Sequence, residues 1–385
     1  MLEQGKWAIT GGRTLLPSGW QDDAVVLMED GVVSAVDGSA QGHRTVNARG
    51  GLVLPGMIDL HGDAFERQLM PRPGVHFDMH LALADTDRQL VSNGISTAFH
   101  GVTHSWEPGL RSQASLIALM EGLEAAKHDL LCDTRLHLRH ETFNLDGEAE
   151  VLDWIASGRV ALLAFNDHMA DIQKKLGNPV DATTLLQRTG LSAAELHSLA
   201  ARVAERADEV PGSIARLADA AAQAGIPMAS HDDLTPQTRQ WYQSMACTIS
   251  EFPKNEETAR AAQALGNPII FGSPNVVRGG SHQRNAVAAA DMVAKGLCTV
   301  LTSDYYYPAM LQAPFRLAQD GACPLDQAWA LVSTHAADAA GLSDRGRIAP
   351  GQRADVLVVQ PPGRMPAQVM QHWIGGRLAY SRADY

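Results

Sequence analysis

The stretch LVLPGMIDLHGD, residues 52–63, decides how the rest of the chain is read. It is an apolar run of strand length that stops at His61-Gly62-Asp63, two side-chain types that bind metals. Seven later runs have the same character: GISTAFHGV (94–102), TRLHLRHE (134–141), RVALLAFNDH (159–168), IPMASHDD (226–233), ACTISEF (246–252), NPIIFGS (267–273) and CTVLTSD (298–304). Helix-like stretches separate most of them, among them residues 81–94, 115–129, 192–207 and 213–225. Eight strands alternating with helices predict an α/β fold, a parallel (β/α)8 TIM-like barrel over residues 55–344.

Both ends of the chain read differently. WAIT (7–10), AVVLMED (24–30) and VVSAVD (32–37) are short apolar runs between turns, and so are GRIAPGQRADVLVVQPPG (346–363) and VMQHWIGGRLAY (369–380). Residues 1–54 and 345–385 are therefore expected to join as one small β-sandwich domain beside the barrel. The polar connection at 169–192 follows a strand's C-terminal end, where a barrel carries its chemistry, and reads as a lid.

Composition narrows the class. The chain has 385 residues, 45% of them hydrophobic and 19% charged, which suits a large packed core. A net charge of -12 argues against nucleic-acid binding. Neither an apolar run long enough to span a membrane nor a basic, apolar leader is visible. Cys132, Cys247, Cys298 and Cys323 are widely spaced and form no CxxC pair, so a cytoplasmic protein with reduced thiols is expected. Apolar-rich barrels often pair, so a homo-oligomer is one expected state.

Five predicted strands end in metal-binding types: His61 and Asp63, then Glu141, His168, His231 and Asp304. In a barrel these ends face one mouth. Imidazole and carboxylate ligands suit zinc, the expected ion, and also manganese or iron, with one ion or two. A bound divalent ion makes hydroxide available near neutral pH, and Asp304 is the candidate to hold or accept its proton. Singly, His61 reads as well as a core histidine, Asp63 as a turn residue and Asp304 as a helix cap; joint placement at strand ends favours the metal reading.

These segments also resemble the PhnM family of phosphonate metabolism, within the amidohydrolases. The resemblance runs through LPGMIDLHGDAFERQLMPRPGV (54–75), RLHLRHE, NDH, ASHDD, ISEFP, GSPNVVRGGSH (272–282), TSDYYYP (302–308) and the ending GRIAPGQRADVLVV. It implies a barrel with a split β-sandwich, metal ligands at the six positions just named, and hydrolysis of α-D-ribose 1-methylphosphonate 5-triphosphate to the 5-phosphate and pyrophosphate. Three departures bear on the substrate. HMADIQKKLGN (168–178) stands where relatives carry a Ser/Thr-Pro-Gly-Gln stretch, Gly62 stands where they carry threonine, and His100 and His104 are additions.

An anionic small molecule needs cations and backbone donors. Arg278, Gly279, Gly280, Ser281 and His282 after the seventh strand are candidates, as is Arg72 between two prolines. The 278–282 segment reads equally as an ordinary glycine turn with a surface arginine, and the stretch around Arg72 reads also as a rigid connector whose arginine faces water. Arg67, Lys254 and Tyr305 to Tyr307 are further pocket candidates. Three functions compete: phosphoanhydride hydrolysis, C–N hydrolysis of an amide, lactam or amidine, and an idle scaffold. The six retained ligands argue against the last.

Overall fold

The computed structural model describes residues 5–281 and 287–382. Eight parallel strands follow one another around the centre: β1 (Met57–Gly62), β2 (Ile95–His104), β3 (Asp133–Glu141), β4 (Leu162–Asn166), β5 (Met228–His231), β6 (Ile249–Glu251), β7 (Ile269–Gly272) and β8 (Val300–Thr302). Each is hydrogen-bonded to the next. The ring closes just beyond the last strand. Asp304 N donates to His61 O at 2.8 Å and Asp63 N donates to Asp304 O at 2.9 Å. The predicted TIM-like barrel is thus present, and its seam is stitched by three of the candidate site residues.

Apolar residues from β1, β2 and β4 through β8 form one buried cluster, among them Ile58, Leu60, Phe99, Leu162, Ile249, Ile270 and Val300. Further clusters pack the surrounding helices against the strands. Side chains along a strand alternate between faces, so β2 sends Gly101 toward His61 and Arg139, and His100 and His104 the other way. His100 lies against Phe65, and His104 against Trp154 and His140. Both histidines are wall residues, and burial lowers the pKa of each to about 4.

The two chain ends meet as expected. Val356–Gln360 pairs antiparallel with Leu52–Pro55 inside a six-stranded sheet. A four-stranded sheet built from residues 7–47 contributes to a shared core that includes Trp7, Ile9, Met28, Val53, Val358 and Trp373. Trp7 and Trp373 meet edge to face at 5.7 Å.

Three details differ from the sequence reading. Residues 52–61 are two strands: Leu52–Pro55 belongs to the sandwich and Met57–Gly62 to the barrel. Gly56 sits at the crossing, where a Cβ would come within 2.4 Å of Ser96 Oγ. The later strands are shorter than their apolar runs because the chain leaves the extended conformation at their ends. Asp232, Phe252 and Asp304 have φ of 64°, 52° and 53°. Finally, the polar connection is helical. Helices α1 (Met169–Leu176), α2 (Pro179–Thr189) and α3 (Ala193–Ala204) bury Ile172, Leu176, Leu185 and Leu196 in a small core of their own, with Trp106 packed on it. The polar residues of the connection include its punctuation: Asn178 caps α2, and Ser192 and Glu195 form a capping box on α3, the helix expected over 192–207.

Among the described residues, no helix is long and apolar enough to cross a membrane. All four cysteines are free thiols.

Candidate active site

The ends of the barrel strands surround a cavity of about 360 Å³. Its lining includes His61, Asp63, Arg139, His168, His231, Asp232, Lys254 and Asp304. A larger cavity, about 710 Å³, lies between the hairpin at 13–22 and the segments 293–299 and 323–348. Every member of the candidate metal-binding groups found among the described residues, Glu251 excepted, lines the smaller one. Chemistry rather than size identifies the site.

Donor atoms of His61, Asp63 and Asp304 lie within 4.8 Å of one another, and so do those of His168, His231 and Asp232. Glu251 ties the two groups together. His61 Nδ1 donates to its Oε1 at 2.8 Å and His231 Nδ1 to its Oε2 at 2.7 Å. The two imidazoles stack 5.7 Å apart at 17°. A carboxylate that takes both Nδ1 protons fixes both tautomers and leaves the Nε2 lone pairs for a cation. Burial opposes the charge on Glu251, yet His61, His137 and His231 hold its carboxyl well below the ordinary carboxylate range. Glu141 is buried and accepts from His168 Nδ1 at 2.6 Å. The donor set of imidazole and carboxylate fits a divalent ion of the zinc, manganese or iron type.

Asp304 is held from below. Asp59, fully buried, accepts from Ser303 N at 2.9 Å and from Ser303 Oγ at 2.5 Å. Gly62 lies over this contact, and a Cβ there would meet Asp59 Oδ2 at 2.7 Å and Ser303 Oγ at 2.9 Å. The missing threonine is matched by filled space. Burial and the neighbouring Asp63 carboxylate push the Asp304 carboxyl up to about 7.

Cations stand around the donors, each already met by an acid. Arg139 reaches Asp63, Lys254 pairs with Asp232, and Arg111 forks onto Glu66 at 3.1 and 3.2 Å. Arg188 of α2 pairs with Glu107, which docks the helical excursion beside Arg111. The fit there is tight. Gly109 has φ 84°, and a Cβ would lie 2.3 Å from Arg188 O. Gly109→Ala is expected to cost about 1–3 kcal/mol of stability, from strain and overpacking together. Thermal unfolding checks this, and an unchanged Tm would contradict the docking described here.

The other candidates are placed as follows. Tyr305 and Ser281 line the cavity. Arg278 is exposed at the end of the helix Ser273–Arg278 and donates to Tyr305 Oη at 3.3 Å. Gly279 is the left-handed cap of that helix, φ 77°, and Gly280 continues the turn. Arg72 sits in an exposed turn outside the lining, and Arg67 donates to the Tyr305 carbonyl. His282 lies outside the described residues. Asp232, Glu251, Arg111 and Arg139 were not singled out as site residues from the sequence. The signal for Glu251 was present, since it ends the sixth strand just as the chosen ligands end theirs.

An amidohydrolase family model matches residues 166–378. The chain is also 33% identical over 332 residues to the α-D-ribose 1-methylphosphonate 5-triphosphate diphosphatase of Escherichia coli strain K12, covering 81% of this chain and 84% of that one. The chain is a PhnM-like member of the amidohydrolase family. It is a hydrolase. This PhnM-like amidohydrolase is also similar to the adenine deaminase of Methylobacterium sp. strain 4-46, at 26% identity over 88% of the chain and 52% of the deaminase. In fold it matches the N-isopropylammelide isopropylaminohydrolase of Burkholderia multivorans ATCC 17616, with TM-score 0.66, 16% identity and 97% and 98% of the two chains covered.

Proposed function

We propose that this protein is a metal-dependent phosphoanhydride hydrolase that converts α-D-ribose 1-methylphosphonate 5-triphosphate to the 5-phosphate and pyrophosphate. The observation that carries the reading is the 33% identity to a diphosphatase of that substrate over most of both chains. The donor-lined cavity is in keeping with it.

His61, Asp63 and Asp304 form one group that would hold an ion, and His168 and His231, with Asp232 as an added candidate, form a second, while Glu141 and Glu251 orient the imidazoles. When bound, a divalent ion supplies water activation and charge stabilisation. Asp304 sits in the lining with a carboxyl poised near neutrality, and its role is to take the proton of the attacking water. Arg139, Lys254 and Arg111 face the same space and would compensate charge on a polyphosphate and its leaving group. Ser281 and Tyr305 line the side where Arg278 stands. Arg72 would need its turn to fold inward to reach the substrate.

A second reading keeps C–N hydrolysis. It is favoured by the neutralised state of the lining cations and by the placement of Arg72 outside the cavity. Purified protein assayed in parallel for pyrophosphate release and against amides, lactams and amidines separates the two. Pyrophosphate release that vanishes in His231→Ala supports the first reading. Cleavage confined to the C–N panel overturns it.

A further inference from the structure

Arg139 reaches from β3 into the middle of the donor cluster. Its Nη1 is 3.3 Å from Asp63 Oδ2 and its Nη2 is 3.4 Å from His231 Nε2. Glu251 joins His61 and His231 in one candidate donor group, while Asp63 belongs to that of His61 and Asp304, and His231 to that of His168 and Asp232. The guanidinium therefore spans the gap between them, with its side chain 6% exposed. The barrel wall makes room for it at Gly101, where a Cβ would lie 3.2 Å from Arg139 Cδ and 3.4 Å from His61 Nε2.

Two-ion hydrolytic sites hold their metals about 3.5–4 Å apart. Here the space between the donor groups contains a cation that cannot be deprotonated in a protein. Like charges at such separation repel strongly where water is largely excluded. The two groups also differ in charge. His61, Asp63 and Asp304 bring two carboxylates. In the other group the single carboxylate, Asp232, is already met by Lys254, and His231 Nε2 already faces Arg139.

We propose that this amidohydrolase takes one divalent ion, at His61, Asp63 and Asp304, and that Arg139 supplies the positive charge a second ion would bring. The inference rests on the metal-hydrolase reading and decides its stoichiometry. It also gives Arg139 a positioning role, since it orients Asp63 and keeps a cationic face toward His231.

The test strips the protein with a chelator, reloads it with excess Mn²⁺ and removes free ion by gel filtration. Elemental analysis then counts ions per chain, and electron paramagnetic resonance reports whether they are coupled. The expected result is one ion per chain with an uncoupled manganese spectrum. Arg139→Met, similar in length but neutral, is expected to admit a second ion and show exchange coupling, whereas Arg139→Lys keeps one. Circular dichroism verifies that the variants are folded, and the wild-type count stands even if Arg139→Met does not fold. Two coupled ions in the wild type would overturn the inference and leave the metal reading standing. One ion in a folded Arg139→Met would overturn the part assigned to Arg139. No ion in folded wild-type protein would sink this inference and the metal reading together.

Discussion

Asp304→Asn is expected to lower turnover by about 10²–10⁴-fold, the range for losing a positioned proton acceptor. The backbone is designed for the exchange. Asp304 has φ 53°, a conformation asparagine tolerates better than most residues, and its main chain closes the barrel through His61 and Asp63. Those contacts survive the substitution, so the fold should hold. What is lost is the carboxylate, which burial and Asp63 keep ready to bind a proton. Steady-state kinetics of pyrophosphate release, alongside metal content and circular dichroism, check the point. A folded, metal-loaded Asp304→Asn with near wild-type turnover would remove Asp304 from the chemistry.

Glu251→Gln is expected to weaken metal binding by about 10–100-fold, the usual cost of altering a group that orients a ligand. The reason is donor arithmetic. The carboxylate accepts one Nδ1–H from His61 and one from His231. A glutamine amide has one oxygen to accept and an NH₂ that must donate. It can satisfy one imidazole only by forcing the other into the opposite tautomer, and at His61 that puts the proton on the nitrogen that should face the ion. Competition with a chromogenic chelator measures the loss. An unchanged dissociation constant would mean that the two Nδ1 contacts do not set the site.

Much of this was legible in the sequence because the physics was repetitive. Eight apolar runs separated by helical stretches leave few alternatives to a barrel, and a barrel puts every strand end on one face. His61, Asp63, His168, His231 and Asp304 come together for that reason. The sandwich was legible because both chain ends lack helical periodicity. Other features depend on pairing across long sequence distances. Arg139 looked like a charge beside Glu141, and only register across the barrel brings it to Asp63 and His231, 76 and 92 residues away. Glu251 reads as one carboxylate in an apolar strand, and its two imidazole partners lie 190 and 20 residues back. Arg72 follows the first strand closely in sequence, yet the turn at 72–75 carries it outward. The connection after His168 read as a polar lid, although its apolar residues close on a core of their own together with the helix expected over 192–207.

The most direct test of the central claim is ³¹P NMR of α-D-ribose 1-methylphosphonate 5-triphosphate incubated with metal-loaded protein. The account predicts pyrophosphate and a ribose 5-phosphate monoester appearing together, and their appearance slowed by about 10²–10⁴-fold with Asp304→Asn. An unchanged triphosphate spectrum with folded, metal-loaded wild-type protein would contradict it.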